Sequence, residues 1–375
     1  MSEFGLKKTL LFTSIVTLAA LLGLLVAGEI YIRVFSRFGK MTWDIYHMKT
    51  LRYEAGIFSR YNFAREAHDV VSGTNKRYHI NSKGYRGREF ELSKPKGITR
   101  IIIYGGSTVF DSEADDPNDW PHLVEKILQQ NGYPNVEVIN AGVPGSASLD
   151  AFGRFFGEGH LLTPDYVMFY GIWNDLKYFH YNKPSLRFYP ANPSDDPISN
   201  PRNWADKFLG NHSQIYFRVR MRYGYWKYHV GPEGIKPLDA PRTSEIQPIQ
   251  LAQYKITMQM FVDLARDIGA EPVLITEATL ITPNNPSAGE DMIRDYLALN
   301  RQGVLKGYEE CTKIIKEVGI EKKAYVIDAH AELSGKRDLF ADHVHTTEKG
   351  SQALAQMVAD ELIKIFKQKE SARTP

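Results

Sequence analysis

The sequence predicts an α/β fold in which helices cover both faces of a parallel sheet, giving an α/β/α sandwich of three layers. From about residue 100, short apolar and often β-branched runs alternate with stretches of helical periodicity. Strands that are apolar throughout are buried on both faces, which is typical of parallel sheets. Right-handed crossovers then place helices on both sides of the sheet. Two segments lie outside this alternation: an uncharged N-terminal run, which predicts a transmembrane helix, and an aromatic-rich insertion.

Five strands and the helices between them are predicted in chain order. The strands are expected at residues 101–104, 136–139, 166–170, 272–275 and 325–327. The helices are expected at residues 120–130, 148–158, 248–268, 290–318 and 347–367. The first of these helices carries Leu123, Ile127 and Leu128 on one face. We therefore expect one folded domain over residues 98–368, followed by a short tail at 369–375.

The N-terminal region is interpreted as a membrane anchor. A tail at residues 1–8 ends in Lys7 and Lys8, and the next 20 residues, 9–28, carry no charge. Such a run suffices to cross the hydrocarbon core as a helix, and it exceeds the apolar stretch of about 7–15 residues in a cleaved signal peptide. Cleavage near Gly28, or burial of the helix in a soluble fold, is kept as an alternative.

The side of the membrane is argued from charge. Lys7 and Lys8 favour a cytoplasmic N-terminus, whereas Arg33, Arg37 and Lys40 come soon after the uncharged run. Short N-terminal anchors commonly export the domain on their C-terminal side. We therefore expect a single-pass membrane protein whose large domain is extracytoplasmic, either periplasmic or extracellular.

Two further segments join or interrupt these elements. Residues 29–97 form a juxtamembrane connector that ends in a turn at 81–87, where Gly84 and Gly87 permit positive φ. Residues 177–247 carry many aromatic side chains but no βα unit, and a structureless loop of that length is uncommon in a compact domain. We interpret 177–247 as an insertion packed as a lid or subdomain. A sugar- or acyl-binding groove and contact with the bilayer interface are alternatives that do not exclude it.

Composition narrows the class of protein. The chain has 375 residues with 46 basic and 44 acidic side chains, so no nucleic-acid partner is predicted. Hydrophobic residues make up 43%, which is typical of a globular protein. The single cysteine, Cys311, cannot form an intrachain disulfide and falls in a helical pattern, so we interpret it as a core residue. Protein partners are left open.

Candidate functional residues come directly after the predicted strands. In an open parallel sheet, ligands bind beyond the carboxyl ends of the strands, so these loops are expected to meet at one edge. Three loops read Gly105-Gly106-Ser107-Thr108, Asn140 to Gly145, and Gly171 to Asp175. A fourth segment, Asp342-His343-Val344-His345, precedes the last helix.

Ser107, His345 and Asp342 have the chemistry of a catalytic triad. A serine hydroxyl is a weak nucleophile and needs a base in contact with it. His345 would accept its proton, and Asp342, three residues earlier in the chain, would fix the tautomer and stabilise the imidazolium. Negative charge then develops on the carbonyl oxygen of the substrate. The backbone amides of Ser107 and Gly142, with the side-chain amide of Asn174, are the predicted oxyanion hole.

These motifs resemble the sequence blocks of the SGNH (GDSL-like) hydrolase family. Gly105-Gly106-Ser107 resembles block I, Gly142 block II, Gly171-x-x-Asn174-Asp175 block III and Asp342-x-x-His345 block V, in the same order over residues 98–366. Gly106 stands where most members carry Asp, and block III has one extra residue. The Gly-Gly-Ser-Thr form is similar to a membrane-tethered bacterial subset found with surface-polysaccharide enzymes.

The resemblance implies a flavodoxin-like sandwich with a five-stranded parallel sheet and a site that needs no metal or cofactor. It also implies activity on an acyl ester of a glycan or lipid. We favour hydrolysis, as an O-deacetylase or esterase that forms an acyl-enzyme on Ser107. An O-acyltransferase that uses the same triad on envelope polysaccharide, and a non-catalytic envelope assembly protein, remain alternative functions.

Simpler interpretations of the same residues are kept beside these. Ser107 is also suited to cap a helix or to bind an anion, and Gly142 to serve a turn. Asn174 is equally suited to cap the next segment, and we interpret Asp175 as structural.

His343 competes with His345 as the base, but the spacing to Asp342 favours His345 and leaves His343 facing solvent or the pocket. A metal site at Asp342 is disfavoured because no further ligand cluster accompanies it. The acidic residues after the nucleophile turn are expected to form a solvated loop; they are Asp111, Glu113, Asp115 and Asp116.

Overall fold

The computed structural model describes most of the chain in two compact units. The described residues are 3–35, 41–43, 45, 53–54, 62–63, 67–71, 76–182, 201–229, 242–285 and 297–373. The first unit combines Met1–Met48 with Asp195–Ile235, and the second combines Lys49–Ser194 with Lys236–Pro375. The stretch 177–247, interpreted from the sequence as one insertion, therefore contributes to both units.

The helices and strands are numbered in chain order. The strands are β1 Tyr53–Glu54, β2 Asn62–Phe63, β3 Ala67–Val71, β4 Arg77–Ile80, β5 Thr99–Gly105, β6 Val136–Gly142, β7 Tyr166–Tyr170, β8 Glu271–Ile275 and β9 Tyr325–Ile327. The helices are α1 Glu3–Phe35, α2 Ser107–Phe110, α3 Trp120–Gln130, α4 Ser148–Glu158, α5 Trp204–His212, α6 Gln214–His229, α7 Pro248–Asp267, α8 Arg301–Lys322, α9 Ala329–Leu333 and α10 Glu348–Arg373. Short 3₁₀ turns lie at Gly159–Leu162, Asp175–Lys177 and Arg337–Leu339.

A five-stranded sheet forms the centre of the second unit. Its strand order is β6-β5-β7-β8-β9, and every neighbouring pair is parallel. In order along the chain this is 2-1-3-4-5, the flavodoxin-like order, so the predicted fold class is confirmed. The register places Gly105 opposite both Gly142 and Tyr170, which aligns the carboxyl ends of three strands.

Helices pack on the sheet in two groups. α3 packs against α10, and α7 packs against both α4 and α8. Strand β5 lies inside the sheet and has to be apolar on both faces for this arrangement, and its Ile101, Ile102, Ile103 and Tyr104 are all fully buried. Cys311 lies on the buried face of α8 as part of the same core.

One predicted helix begins later than expected. The sequence pattern placed it over 290–318, whereas the described residues 297–300 are not helical and α8 runs from Arg301 to Lys322. The side chain of Asn300 accepts a hydrogen bond of 2.9 Å from the amide of Gly303 and so caps the helix. Residues 286–296 lie outside the described part of the chain.

The first unit is helical. The stretch Lys8–Phe35 of α1 contains an 18-residue window with a mean hydropathy of 2.5 and no buried residues, so it is long and apolar enough to cross a membrane. α5 and α6 form a helical pair in the same unit, and Trp43 packs against it.

Candidate active site

Ser107 lies just beyond the carboxyl end of β5, an interior strand of the sheet. Gly105 ends β5, and Ser107 begins the short helix α2 directly after Gly106. A Cβ on Gly105 would lie 2.1 Å from the carbonyl oxygen of Tyr170, and one on Gly106 would lie 2.6 Å from Nδ2 of Asn174. Close packing against the neighbouring strand therefore requires the Gly-Gly pair, which presents Ser107 at this edge of the sheet.

The structure brings Ser107, His345 and Asp342 into one hydrogen-bonded chain. Nε2 of His345 lies 2.8 Å from Oγ of Ser107, and Nδ1 of the same ring lies 2.8 Å from Oδ2 of Asp342. The other carboxylate oxygen of Asp342 accepts from the amides of Val344 and His345 at 2.9 Å each. Because the carboxylate is held from both sides, it fixes the orientation of the imidazole.

The electrostatic environment of His345 and Asp342 makes the imidazole more basic than usual. Burial opposes protonation of His345, but the hydrogen bond and negative charge of Asp342 outweigh it and raise the pKa of His345 above its ordinary value. Burial likewise opposes ionisation of Asp342, yet the hydrogen bond and charge of His345, with a contribution from His343, hold the pKa of Asp342 well below its usual range. Asp342 is thus a stable anion beside a histidine that protonates readily.

Asn174, the side-chain donor expected for the oxyanion hole, lies next to the turn at Gly105-Gly106-Ser107. Its Nδ2 donates to the carbonyl oxygen of Ser146 at 3.0 Å, which directs the amide toward Gly106. A side-chain amide has two N–H donors, so the second is available to a substrate oxygen.

The amide of Gly142 is already engaged. It donates to Oδ1 of Asn140 at 2.9 Å, and a Cβ at Gly142 would lie only 2.3 Å from the amide nitrogen of Phe110. Gly142 therefore serves the close packing of β6 against α2, and the geometry does not support the oxyanion role predicted for it from the sequence.

The backbone amide of Gly145 differs from that of Gly142 in its contacts. Residues 143–146 form a turn closed by a 3.1 Å hydrogen bond from Ser146 N to Val143 O, with Gly145 at φ +89 in its third position. The amides of Gly145 and Ser107 make no hydrogen bond within the described part of the chain. The carbonyl oxygen of Gly145 accepts from Nζ of Lys177 at 3.1 Å, which ties the turn to the loop that carries Asn174.

Glu277 is a residue of this edge that was not identified from the sequence. Its buried carboxylate accepts from the Thr108 hydroxyl at 2.7 Å and from the amides of Ile172 and Trp173 at 2.7 and 2.6 Å. Tyr308 adds a hydroxyl at 3.1 Å. Burial raises the pKa of Glu277, and these donors oppose the rise. Glu277 lies two residues beyond β8, so its place after a strand was the available signal.

The acidic loop after α2 is not simply solvated, contrary to the expectation. Asp111 is buried, accepts from the amide of Trp120 at 2.9 Å, and has its pKa raised by burial to about 6. Asp116 pairs with Nε of the buried Arg86 at 2.7 Å. Arg86 also donates to the carbonyl oxygens of Phe110, Asp111 and Ala114 and so clamps the end of α2.

His343 and Asp175 have structural positions. His343 is buried rather than exposed to solvent, and its ring lies against that of Trp173 at a tilt of 50°, with centroids 3.8 Å apart. The carboxyl group of Asp175 accepts from the amide and hydroxyl of Ser148 at 3.0 and 2.6 Å, and burial raises the pKa of Asp175 to about 7. Within the described ranges, no three His, Cys, Asp or Glu side chains are grouped to hold a metal ion.

Comparison with known proteins finds similarity in structure alone. No family profile and no curated protein matches the chain. A lipase/acylhydrolase from Enterococcus faecalis matches with 18% identity over 71% of this chain and 95% of its own, at a TM-score of 0.41. An acetylxylan esterase from Geobacillus stearothermophilus matches with 15% identity over 72% and 95%, at a TM-score of 0.40. These values leave the activity to be argued from the site itself.

Proposed function

We propose that the chain is a serine-dependent carboxylic-ester hydrolase of the SGNH type that forms an acyl-enzyme on Ser107. The observation that carries the proposal is the Ser107–His345–Asp342 chain, with 2.8 Å at each of its two contacts to the imidazole. Ser107 comes directly after β5, whereas Asp342 and His345 come from the loop before the last helix, α10. A hydroxyl that contacts an imidazole, which in turn contacts a carboxylate, is the arrangement that activates a serine nucleophile.

Acylation begins with attack of Ser107 Oγ on the ester carbonyl while His345 takes the hydroxyl proton. The protonated imidazole is stabilised by Asp342 and returns the proton to the leaving alcohol. A new bond forms between Oγ and the acyl carbon, and the bond from that carbon to the alcohol oxygen breaks. Water then attacks the acyl-enzyme with His345 again as base, which releases the acid and restores Ser107.

The oxyanion is stabilised by three donors in this proposal. They are the amides of Ser107 and Gly145 and the side chain of Asn174, with Gly145 in place of the Gly142 expected from the sequence. The support is that Gly142 N is bonded to Asn140, whereas Ser107 N and Gly145 N have no acceptor in the described residues. Fixed donors aimed at developing charge are often the largest contribution to such catalysis.

The substrate is proposed to be an acylated glycan or lipid at the cell envelope. Support comes from α1, whose Lys8–Phe35 stretch is long and apolar enough to be a membrane span. We propose that α1 is retained as an anchor and that the sheet domain lies outside the cytoplasm. A sugar hydroxyl in place of water would turn the same acyl-enzyme into an acyl transfer, so an added saccharide acceptor separates the two reactions.

A serine-directed fluorophosphonate and a series of nitrophenyl esters test the proposal on the full-length chain in detergent. The probe is expected to label Ser107, and ester hydrolysis is expected to vanish in Ser107→Ala. Ser146→Ala is the matched control, because Ser146 lies near the site and its contacts described there are made by backbone atoms. Absence of labelling in folded protein, or equal hydrolysis by Ser107→Ala and wild type, would overturn the proposal.

A further inference from the structure

Large apolar side chains are exposed along one face of each helix in the α5–α6 pair. On α5, Trp204 is 78% exposed and its ring stacks on that of Phe208, one turn away. On α6, Val219, Tyr223 and Trp226 are exposed at the i, i+4, i+7 spacing of a single helical face. Exposed apolar surface of this extent marks an interaction site more often than chance exposure.

The opposite face of the helix pair is packed and hydrogen-bonded. Nε1 of Trp43 donates to the carbonyl oxygen of Asp206 at 3.0 Å, and its ring lies against Phe217 and the surface of Gly210. Nε of Arg220 pairs with the Asp206 carboxylate at 3.0 Å. Residues of this packed face form the interior of the unit. The exposed side chains of α5 and α6 described above are therefore not part of its core.

The α5–α6 pair is fixed to the end of the apolar helix α1. The carboxylate of Glu29 accepts from the amides of Gln214 and Ile215 at 2.7 and 3.1 Å, so a residue of α1 caps the N-terminus of α6. Arg33 donates to the carbonyl oxygen of His212, the last residue of α5, at 2.7 Å. The last residue of α5 and the first residues of α6 are therefore both hydrogen-bonded to α1.

Glu29 is the first charged residue after the uncharged run 9–28. A helix of that length rises about 30 Å, the thickness of the hydrocarbon core, so its last residue lies at the membrane boundary. The contacts of Glu29 consequently place the start of α6 at the depth of the lipid headgroups. Tryptophan and tyrosine side chains favour that depth, because their rings are apolar and carry one polar group.

We propose that the exposed face of α5 and α6 lies in the bilayer interface, with the headgroup and upper acyl region of a phospholipid membrane as its partner. This rests on the insertion of α1 proposed above. Arg202, Lys207 and Arg222 are exposed on the same two-helix segment and complement anionic phospholipid headgroups. Helices α5 and α6 thus form a second membrane contact, in addition to the anchor helix α1.

Quenching of tryptophan fluorescence by brominated lipid tests the proposal. The full-length chain is reconstituted in vesicles that contain an anionic phospholipid and a phospholipid brominated on acyl carbons close to the headgroup. Trp43, Trp120 and Trp173 are buried, so the exposed Trp204 and Trp226 are expected to dominate the quenching. The double variant Trp204→Phe, Trp226→Phe is expected to lose most of it, whereas Trp120→Phe retains it.

Two results would overturn the proposal: equal quenching in the double variant and the wild type, or wild-type fluorescence unaffected by brominated lipid. Fluorophosphonate labelling of Ser107 in the same vesicles reports the sheet domain independently. Loss of labelling with intact quenching would count against the proposed hydrolase, and the reverse pattern would count against the bilayer contact.

Discussion

The hydroxyl of Thr108, the residue after the nucleophile, donates to the buried carboxylate of Glu277 at 2.7 Å. The same carboxylate accepts the amides of Ile172 and Trp173, which precede Asn174 in the loop after β7. One side chain thus joins the turn that carries Ser107 to the loop that carries Asn174, the oxyanion donor of our proposal. The stretch Gly171–Asp175 resembles block III of the SGNH pattern with one extra residue, and Glu277 binds two amides within it.

Replacement of Glu277 is expected to act on catalysis through the position of Asn174. Glu277→Ala leaves two buried amides without an acceptor, at about 1–3 kcal/mol each, so the loop shifts to find new partners. Displacement of a donor by about 1 Å can cost ~100-fold in rate. We expect kcat to fall by roughly 10- to 100-fold with KM little changed, as measured with a short-chain nitrophenyl ester.

Two further variants separate positioning from general damage. Glu277→Gln keeps an oxygen that accepts both amides, so it is expected to restore most of the kcat lost in Glu277→Ala. Thr108→Val removes only the hydroxyl donor and leaves the loop amides bound. Equal kcat in Glu277→Ala and wild type would show that this carboxylate does not position the loop.

Asp342→Asn is expected to change both the rate and its pH dependence. The reaction needs neutral His345, so kcat/KM rises with pH through the pKa of His345, which Asp342 holds above its ordinary value. Loss of the carboxylate leaves burial, which lowers the pKa of His345, opposed by the weaker influence of the Glu113 and Glu277 charges. The acidic limb is therefore expected to move to lower pH, while the maximal rate falls by roughly 10⁴-fold because the wrong tautomer is favoured.

The pH–rate profiles of the wild type and Asp342→Asn check this. His343→Gln is the matched control, because His343 also lies near Asp342 but packs against Trp173. It is expected to keep the acidic limb of the wild type. An acidic limb that does not move in Asp342→Asn would contradict the assigned role of Asp342.

The sheet and the Ser107, His345 and Asp342 constellation could be predicted because each rests on a local signal with one structural outcome. Apolar β-branched runs such as 101–104 have to be buried on both faces, which leaves a parallel sheet. Parallel strands bring their carboxyl ends to one edge, so residues far apart in the chain are expected together. The 2.8 Å contact between Ser107 and His345 is a consequence of that topology.

The oxyanion glycine, the burial of Asp111 and the start of α8 could not be predicted in the same way. Each depends on a particular hydrogen-bond partner, which residue spacing in the sequence does not specify. The sequence pattern assigns the oxyanion hole to Gly142, and the hydrogen bond from Gly142 N to Asn140 is the observation that led us to propose Gly145 instead. The burial of Asp111 depends on Arg86, whose side chain clamps the loop from a distant turn. The start of α8 depended on the cap at Asn300, which the helical periodicity did not indicate.

Asn174→Ala tests the oxyanion hole directly. Removal of one such donor is expected to lower kcat by roughly 10²- to 10³-fold, or about 2.7–4 kcal/mol, because the donor acts mainly on the charge of the transition state. KM is expected to change little. Fluorophosphonate labelling of Ser107 should remain measurable but slower. A kcat within about threefold of the wild type would remove Asn174 from the oxyanion hole.

The two glycines after β6 are expected to differ in their tolerance of alanine. In Gly142→Ala the new Cβ would lie 2.3 Å from the amide nitrogen of Phe110, so backbone has to move and Tm is expected to fall sharply. In Gly145→Ala the Cβ meets nothing within 4 Å, and only the positive φ is strained, at roughly 1–2 kcal/mol. A Tm of Gly142→Ala at or above that of Gly145→Ala would contradict this assignment.

Asp175→Asn is expected to gain stability relative to the wild type as the pH rises. Burial raises the pKa of Asp175 to about 7, above the value of about 4 that an unfolded chain would show. Between these values the folded state holds a proton that the unfolded state has released, so this group lowers stability by about 1.4 kcal/mol per pH unit. Asn imitates the protonated form and removes the dependence. The Tm of Asp175→Asn minus that of the wild type, measured in detergent at pH 5 and pH 8, should therefore be larger at pH 8. A difference that is constant or falls with pH would show that Asp175 is ionised in the folded protein.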